Sequence, residues 1–272
     1  MNRYSLFMDI SGIIAKNTYD QSSFTVGGIV IATADVGKAR TAVSSVGKKW
    51  RDMDDASAVE MTEAILVHSV TASARRIRKS QPHWDSFWIE GERFHCFAAS
   101  VEKSRLGFVK AANVVRYAAF GGCAAQSVGH CLGRHGLPTI VAPNGFCPLE
   151  LAITCDTDIE GHENIETFRY MWSRLQAQSK MKEAYGVEHQ IQAVEFKTEQ
   201  DEPLLLAADF VAGCFQWYLG NPEVRLPRGM SEASSERIIN EFQLSRNFIL
   251  DQQEFCLTYD RVFGDLLSRN KP

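Results

Sequence analysis

The sequence predicts an α/β fold: a mixed sheet flanked by helices, with a helical insert after the second strand and a C-terminal helical tail. Three observations predict it. The chain opens with two strand-like runs joined by turn-forming residues. From residue 94 onward strand patterns alternate with helical ones, which implies a sheet with helices packed on it. Residues 203–219 then read as a nearly all-apolar helix, with proline at its start where helix geometry favours it.

Taken in order, residues 4–10 (Tyr-Ser-Leu-Phe-Met-Asp-Ile) form the first strand and 24–31 the second. Between them Ser11-Gly12 and the polar run 16–23 supply turn chemistry. Alternation puts Leu6, Met8 and Ile10 on one face of the first strand and Phe7, Asp9 and Ser11 on the other. Residues 36–79 carry strong helix formers, with Val59, Ile65 and Leu66 near helical spacing, and the expected helix stops before Pro82. A third strand is expected over 94–101 and a long helix rich in small residues over 106–132. The fourth strand, 148–155, delivers Asp156-Thr157-Asp158 at its carboxyl end. An amphipathic helix over 164–185, a fifth strand over 190–196 and one or two helices over 231–267 complete the pattern. Residues 1–222 are therefore expected as one domain carrying an insert at about 36–90, and 223–272 as a C-terminal helical appendage.

Composition narrows the class. At 272 residues, with 45% hydrophobic and 23% charged residues, the chain is an ordinary globular protein, and disordered or collagen-like folds are excluded. Its longest charge-free stretches, 117–133 and 135–149, are broken by Gly, Gln, His or Pro, so no membrane span is expected. An acid at position 9 interrupts any signal-peptide core, and a cytoplasmic protein is expected. Seven scattered cysteines without a C-x-x-C pair fit reduced core thiols better than a disulfide framework or a zinc ribbon. A formal net charge of −4 means that any nucleic-acid contact has to come from a local patch.

Three acids stand in apolar surroundings: Asp9 in the first strand, Asp156 ending the fourth, and Asp209 in Leu204-Leu205-Leu206-Ala207-Ala208-Asp209-Phe210-Val211-Ala212-Gly213. The helical neighbours of Asp209 are Leu205, Leu206, Ala212 and Gly213, so no cation one turn away can pair with it. A buried carboxylate then needs a raised pKa, a distant cation or a metal ion. If the three converge, their repulsion favours a divalent cation, and oxygen-only ligation suits Mg²⁺ or Mn²⁺.

These residues resemble a family. Phe7-Met8-Asp9-Ile10-Ser11-Gly12 resembles the opening aspartate strand of the family catalogued as domain of unknown function 3800, and residues 24–31 resemble its glycine-containing second strand. The run Leu204 through Gly213 is similar to its closing LQxADxxAG helix, and the resemblance covers most of residues 4–220. It implies a ribonuclease-H-like fold, a superfamily that cleaves or transfers nucleic-acid phosphodiesters with a carboxylate cluster and two divalent cations. By that resemblance Asp9, Asp156 and Asp209 are the expected catalytic and metal residues. Asp158, Asp201, Glu202 and Glu102 are candidates for a fourth ligand. The family commonly reads Asp-Glu-Ser-Gly where this chain has Ile10, and glutamine where it has Ala207. The resemblance also suggests a prokaryotic accessory or defence-type role.

Arg75, Arg76, Arg78 and Lys79, beside His83 and Trp84, are the expected nucleic-acid-binding patch, combining phosphate neutralisation with a stacking face. Lys48, Lys49 and Arg51 form a second, weaker cluster. A metal-dependent nuclease is the leading expectation. The alternative is a weak or inactive module that binds nucleic acid, or a partner protein through the helices after Ser231. Rival motifs fail: the loop starting at Asp156 has Thr167 where an EF-hand needs glutamate, and neither G-x-G-x-x-G nor G-x-S-x-G occurs.

Overall fold

The computed structural model describes residues 2–12, 23–78, 85–94, 96–102, 141–142, 145–146, 149–156, 190–219 and 225–242. The expected helices over 106–132 and 164–185, and the tail beyond residue 242, lie outside them. So do Asp158, Lys79, His83 and Trp84.

Strand β1 (Asn2–Ser11) pairs antiparallel with β2 (Ser23–Ala32) and places Asp9 opposite Gly27. Gly12 follows β1 with φ +100°, a left-handed backbone that favours glycine. Next come α1 (Val36–Val46), a 3₁₀ turn (Trp50–Asp52) and α2 (Asp55–His68). Helix α1 ends on Gly47, whose φ of 60° lets its N–H reach the Val43 carbonyl at 3.1 Å. Helix α2 starts on a capping box: Asp54 Oδ1 accepts the Ser57 N–H at 2.8 Å, and Ser57 Oγ accepts the Asp54 N–H at 3.0 Å. Lys48 Nζ lies 2.7 Å from Asp54 Oδ2, so this lysine is committed to the cap.

Here the insert departs from its expected helical character. After Ser69 the chain turns extended, and β3 (Val70–Arg78) pairs antiparallel with β4 (Asp85–Phe94), with a bulge between Ala72 and Ala74. The physical reason is composition at both ends of the pairing. Val70, Thr71 and Ile77 are β-branched, and Arg75 and Arg76 stand opposite Trp88 and Phe87, aromatic partners that favour strands. Arg75, Arg76 and Arg78 therefore belong to a strand rather than to the end of a helix.

Strand β5 (Cys96–Glu102) pairs antiparallel with β2. Two short strands, β6 (Val141–Ala142) and β7 (Gly145–Phe146), pair with each other. Strand β8 (Leu149–Asp156) then runs parallel to β1, and β9 (Gln190–Lys197) parallel to β8. The resulting sheet has the order β5-β2-β1-β8-β9, antiparallel on the hairpin side and parallel on the other. This is the mixed sheet the sequence predicts.

Helix α3 (Leu204–Tyr218) crosses β1 and β2. Its other flank is covered by α1, the Trp50 turn and α4 (Glu232–Glu241). Coverage on both flanks explains why its sequence is apolar nearly all round. Phe210 and Phe215 are among its fully buried side chains. The approach to α4 is pinned to the start of α2: the Ser231 N–H donates to Asp55 Oδ1 at 2.8 Å, and Asp54 bridges to Gly229. Met230, Ile238, Ile239 and Phe242 join the same hydrophobic core. Cys96, Cys155 and Cys214 are buried thiols, as expected of core cysteines. No helix among the described residues is long and apolar enough to cross a membrane.

Candidate active site

The register decides which acids meet. Met8 pairs with Cys155 across parallel strands, so Asp9 and Asp156, one residue further on, sit side by side at the carboxyl ends of β1 and β8. Open α/β sheets bind ligands at such ends. Gly27, the partner of Asp9 across β2, abuts Ala212 of α3, so Asp9 faces the helix that carries Asp209.

Electrostatics agree with this convergence. Asp9 is 6% exposed, and burial, then the charge of Asp209, then that of Asp156, hold its carboxyl well above the usual carboxylate range. The Ile10 N–H, 2.6 Å from Asp9 Oδ1, opposes that shift. Burial pushes Asp209 up to about 6, aided by Glu199 and Asp156 and opposed by the Trp50 N–H and Lys49. The Trp50 N–H donates to Asp209 Oδ2 at 2.7 Å, so the distant partner of Asp209 is the insert's 3₁₀ turn.

A fourth acid joins them, and the sequence reading missed it. Glu199 lies in the loop between β9 and α3, and its charge raises both Asp9 and Asp209. Burial tends to raise Glu199 itself, but the bond from Lys49, a backbone N–H and the charges of Lys49 and Arg51 bring it below its ordinary value. Lys49 Nζ forms an ion pair with Glu199. The signal available in the sequence was only the acid-rich run Glu199-Gln200-Asp201-Glu202, in which nothing separates one carboxylate from the next.

Of the expected fourth-ligand candidates, Glu202 and Asp201 have other partners, and Asp158 lies outside the described residues. Glu202 is buried and held by Arg40, whose Nη2 and Nε reach its two oxygens at 2.6 and 3.0 Å. Its Oε1 also accepts the Leu204 N–H at 3.3 Å, at the start of α3. Asp201 is exposed and accepts the Thr198 hydroxyl at 2.9 Å. Glu102 ends β5, and Asp158 is among the residues not described. Ile10 alternates to the opposite face of β1 from Asp9 and packs against the core, while Ala207 is fully buried in α3. Neither departure from the family pattern removes a carboxylate from the face shared by β1 and α3.

Whether this donor set suits divalent cations can be judged from its chemistry. All four groups are carboxylates, and hard oxygen donors match Mg²⁺ or Mn²⁺. Two of them hold raised pKa values, first because burial strips them of water and then because neighbouring carboxylates repel their charge, and a cation relieves both. As the side chains stand, no group of three or more His, Cys, Asp or Glu among the described residues could hold an ion. The fit rests on donor type and electrostatics.

The raised values set a pH dependence. Both carboxyls bind protons more tightly in the folded protein than in the unfolded chain, where an aspartate titrates at about 3.9. Their contribution to stability is whole below about pH 4 and is lost as pH rises through about 6 for Asp209 and through the raised value of Asp9. In chelator, the melting temperature of the wild type is expected to fall by a few degrees between pH 5 and 7.5. The Asp9→Asn/Asp209→Asn double variant should fall less over the same window. Parallel calorimetric profiles for the two proteins would contradict this account.

No family model matches the chain, and no curated protein matches it. Several solved structures are similar to it. Ribonuclease HII of Archaeoglobus fulgidus, solved in complex with PCNA, is 13% identical, with 89% of each chain covered and a TM-score of 0.39. Ribonuclease H2 of Pyrococcus horikoshii OT3 is 10% identical, with 95% of this chain and 98% of that one covered and a TM-score of 0.41. Bst ribonuclease HIII, in complex with Mn²⁺, is 13% identical at a TM-score of 0.32, over 94% of this chain and 65% of that one. The five-stranded order, with its antiparallel hairpin beside parallel β1, β8 and β9, and the helix laid across β1 and β2 make the mixed α/β fold that the sequence predicts.

Proposed function

We propose that this chain is a divalent-metal-dependent nuclease, a hydrolase of nucleic-acid phosphodiesters, and a member of the family of unknown function 3800. The observation that carries the reading is the meeting of Asp9, Asp156 and Asp209 from two parallel strands and a buried helix, with the charges of Asp209 and Asp156 raising Asp9. In this reading residues 1–222 are the catalytic domain and 223–272 an appendage whose first part is docked on the core.

Asp9, Asp156 and Asp209 would hold Mg²⁺ or Mn²⁺, as a pair of ions, with Glu199 as the fourth carboxylate. Ions held there would supply an acidified water as nucleophile and charge stabilisation for the leaving oxygen. The chain's own groups do the positioning. The Ile10 N–H orients Asp9, the Trp50 N–H orients Asp209, and Lys49 holds Glu199 at the rim. Burial of α3 keeps water from the inner side of the cluster.

The test is cleavage of labelled DNA and RNA, single- and double-stranded, by wild type and Asp9→Asn with Mn²⁺, Mg²⁺ or chelator. Cutting that needs metal and falls at least about 100-fold in the variant is expected, more than an outer-shell partner costs. Cutting that survives chelator, or equal rates in the two proteins, would refute the reading.

A further inference from the structure

The geometry points to Lys49, which caps the insert's 3₁₀ turn, and Arg51, within that turn, as the residues that bind the phosphodiester backbone of the strand presented to the carboxylates. The assignment rests on the nuclease reading and names the substrate contact of that same site.

The turn is fixed to the site by two independent anchors. Trp50 is 6% exposed, its ring lies 6.0 Å from that of Phe210, and it covers Gly213 so closely that a Cβ there would stand 2.5 Å from Trp50 Cδ1. Its N–H donates to Asp209. A segment held by both an apolar seat and a hydrogen bond to a site acid keeps its neighbours at a set place relative to that acid.

Those neighbours are cations on the open side of the cluster. The Lys49 side chain is 42% exposed and pairs with Glu199, and the charges of Asp209 and Asp156 raise its pKa further. The Arg51 side chain is 77% exposed, with a long 3.4 Å contact to the likewise exposed Asp52, and its charge reaches Glu199. Lys48 is directed to the cap of α2 by its bonds to Asp54 and Ser57, whereas the bond of Lys49 leads to the carboxylate cluster. A polyanion repelled by four carboxylates needs positive charge beside them, and a guanidinium or an ammonium supplies it to phosphate oxygens. Arg75, Arg76 and Arg78 lie instead in the β3–β4 hairpin, which pairs only with itself among the described strands.

The test is anisotropy binding of fluorescein-labelled 20-mers (single-stranded DNA, single-stranded RNA and the corresponding duplexes) to the full chain in Mg²⁺. An Asp9→Asn background keeps cleavage from interfering. Arg51→Gln is expected to lower the slope of log affinity against log salt by about 0.7–0.9, and Lys49→Gln/Arg51→Gln by about twice that. Melting curves confirm that each variant is folded. An unchanged slope in both turn variants, while the parent binds and wild type cuts with metal, overturns this assignment alone. A parent protein that binds none of the probes overturns it together with the nuclease reading.

Discussion

Gly27→Ala is expected to cost about 3 kcal/mol of stability, the upper end for overpacking a core. The backbone conformation of Gly27 suits any residue; the space does not. A Cβ at this position would stand 2.5 Å from Ala212 Cα and 2.8 Å from Ala212 Cβ. Those atoms belong to the body of α3 and cannot rotate away as the end of a flexible side chain can. The helix must lift from β1 and β2, across which much of the core is closed. A melting temperature lower by on the order of 10 °C follows for a chain of this size. Because Asp9 stands opposite Gly27, the lift also draws Asp209 away from Asp9. Gly37→Ala is the matched control, since a Cβ there would meet no atom within 4 Å and α1 gains a better helix former. If the two variants melt within about 2 °C of each other, the close approach of α3 is not what the structure indicates.

Gly213→Ala is expected to separate activity from stability. Alanine is a better helix residue than glycine by about 1 kcal/mol, which offsets part of the packing cost. Its Cβ, however, would meet the Trp50 indole at 2.5 Å from Cδ1 and 2.6 Å from Cδ2. The ring is flanked by Phe210, so the 3₁₀ turn moves as a unit. That movement withdraws the Trp50 N–H from Asp209 and carries Lys49 away from Glu199. On the proposed nuclease reading, metal-dependent cleavage and Mn²⁺ affinity by titration calorimetry should each fall about 10–100-fold, the usual cost of losing a partner that orients a metal ligand. Adding Trp50→Leu to Gly213→Ala makes room for the Cβ and should recover part of the loss. A double-mutant cycle measures that coupling. Full Mn²⁺ affinity in the single variant would show that the turn does not support Asp209.

The two predictions share a physical cause, the small residues of α3 and β2 at points of close approach. Glycine at 27 lets the helix backbone lie on the strand, and glycine at 213 lets an indole lie on the helix. Both are visible in the sequence only as glycines inside otherwise apolar runs. What each one touches is decided by elements far away in the chain.

The same division runs through the whole protein. Period-two alternation around Asp9, the apolar run ending at Asp156 and the apolar helix around Asp209 are local patterns, and the sequence by itself determined these elements and the three acids they carry. Their residue spacing also determined that Asp209 has no cation on its own helix. Local patterns could not decide the insert. Residues 70–78 contain helix formers as well as β-branched residues, and pairing with the aromatic strand 85–94 settled the contest in favour of a hairpin. Nor could they rank the acids of the 199–202 loop. Glu202 is taken by Arg40, which lies 162 positions earlier, and Glu199 by Lys49, so the first is withdrawn into the start of α3 and the second left at the carboxylate cluster. Two carboxylates three positions apart have nearly the same intrinsic chemistry. Their roles differ because tertiary structure gives each a different cation and a different depth of burial, and both are long-range properties that no short stretch of sequence contains.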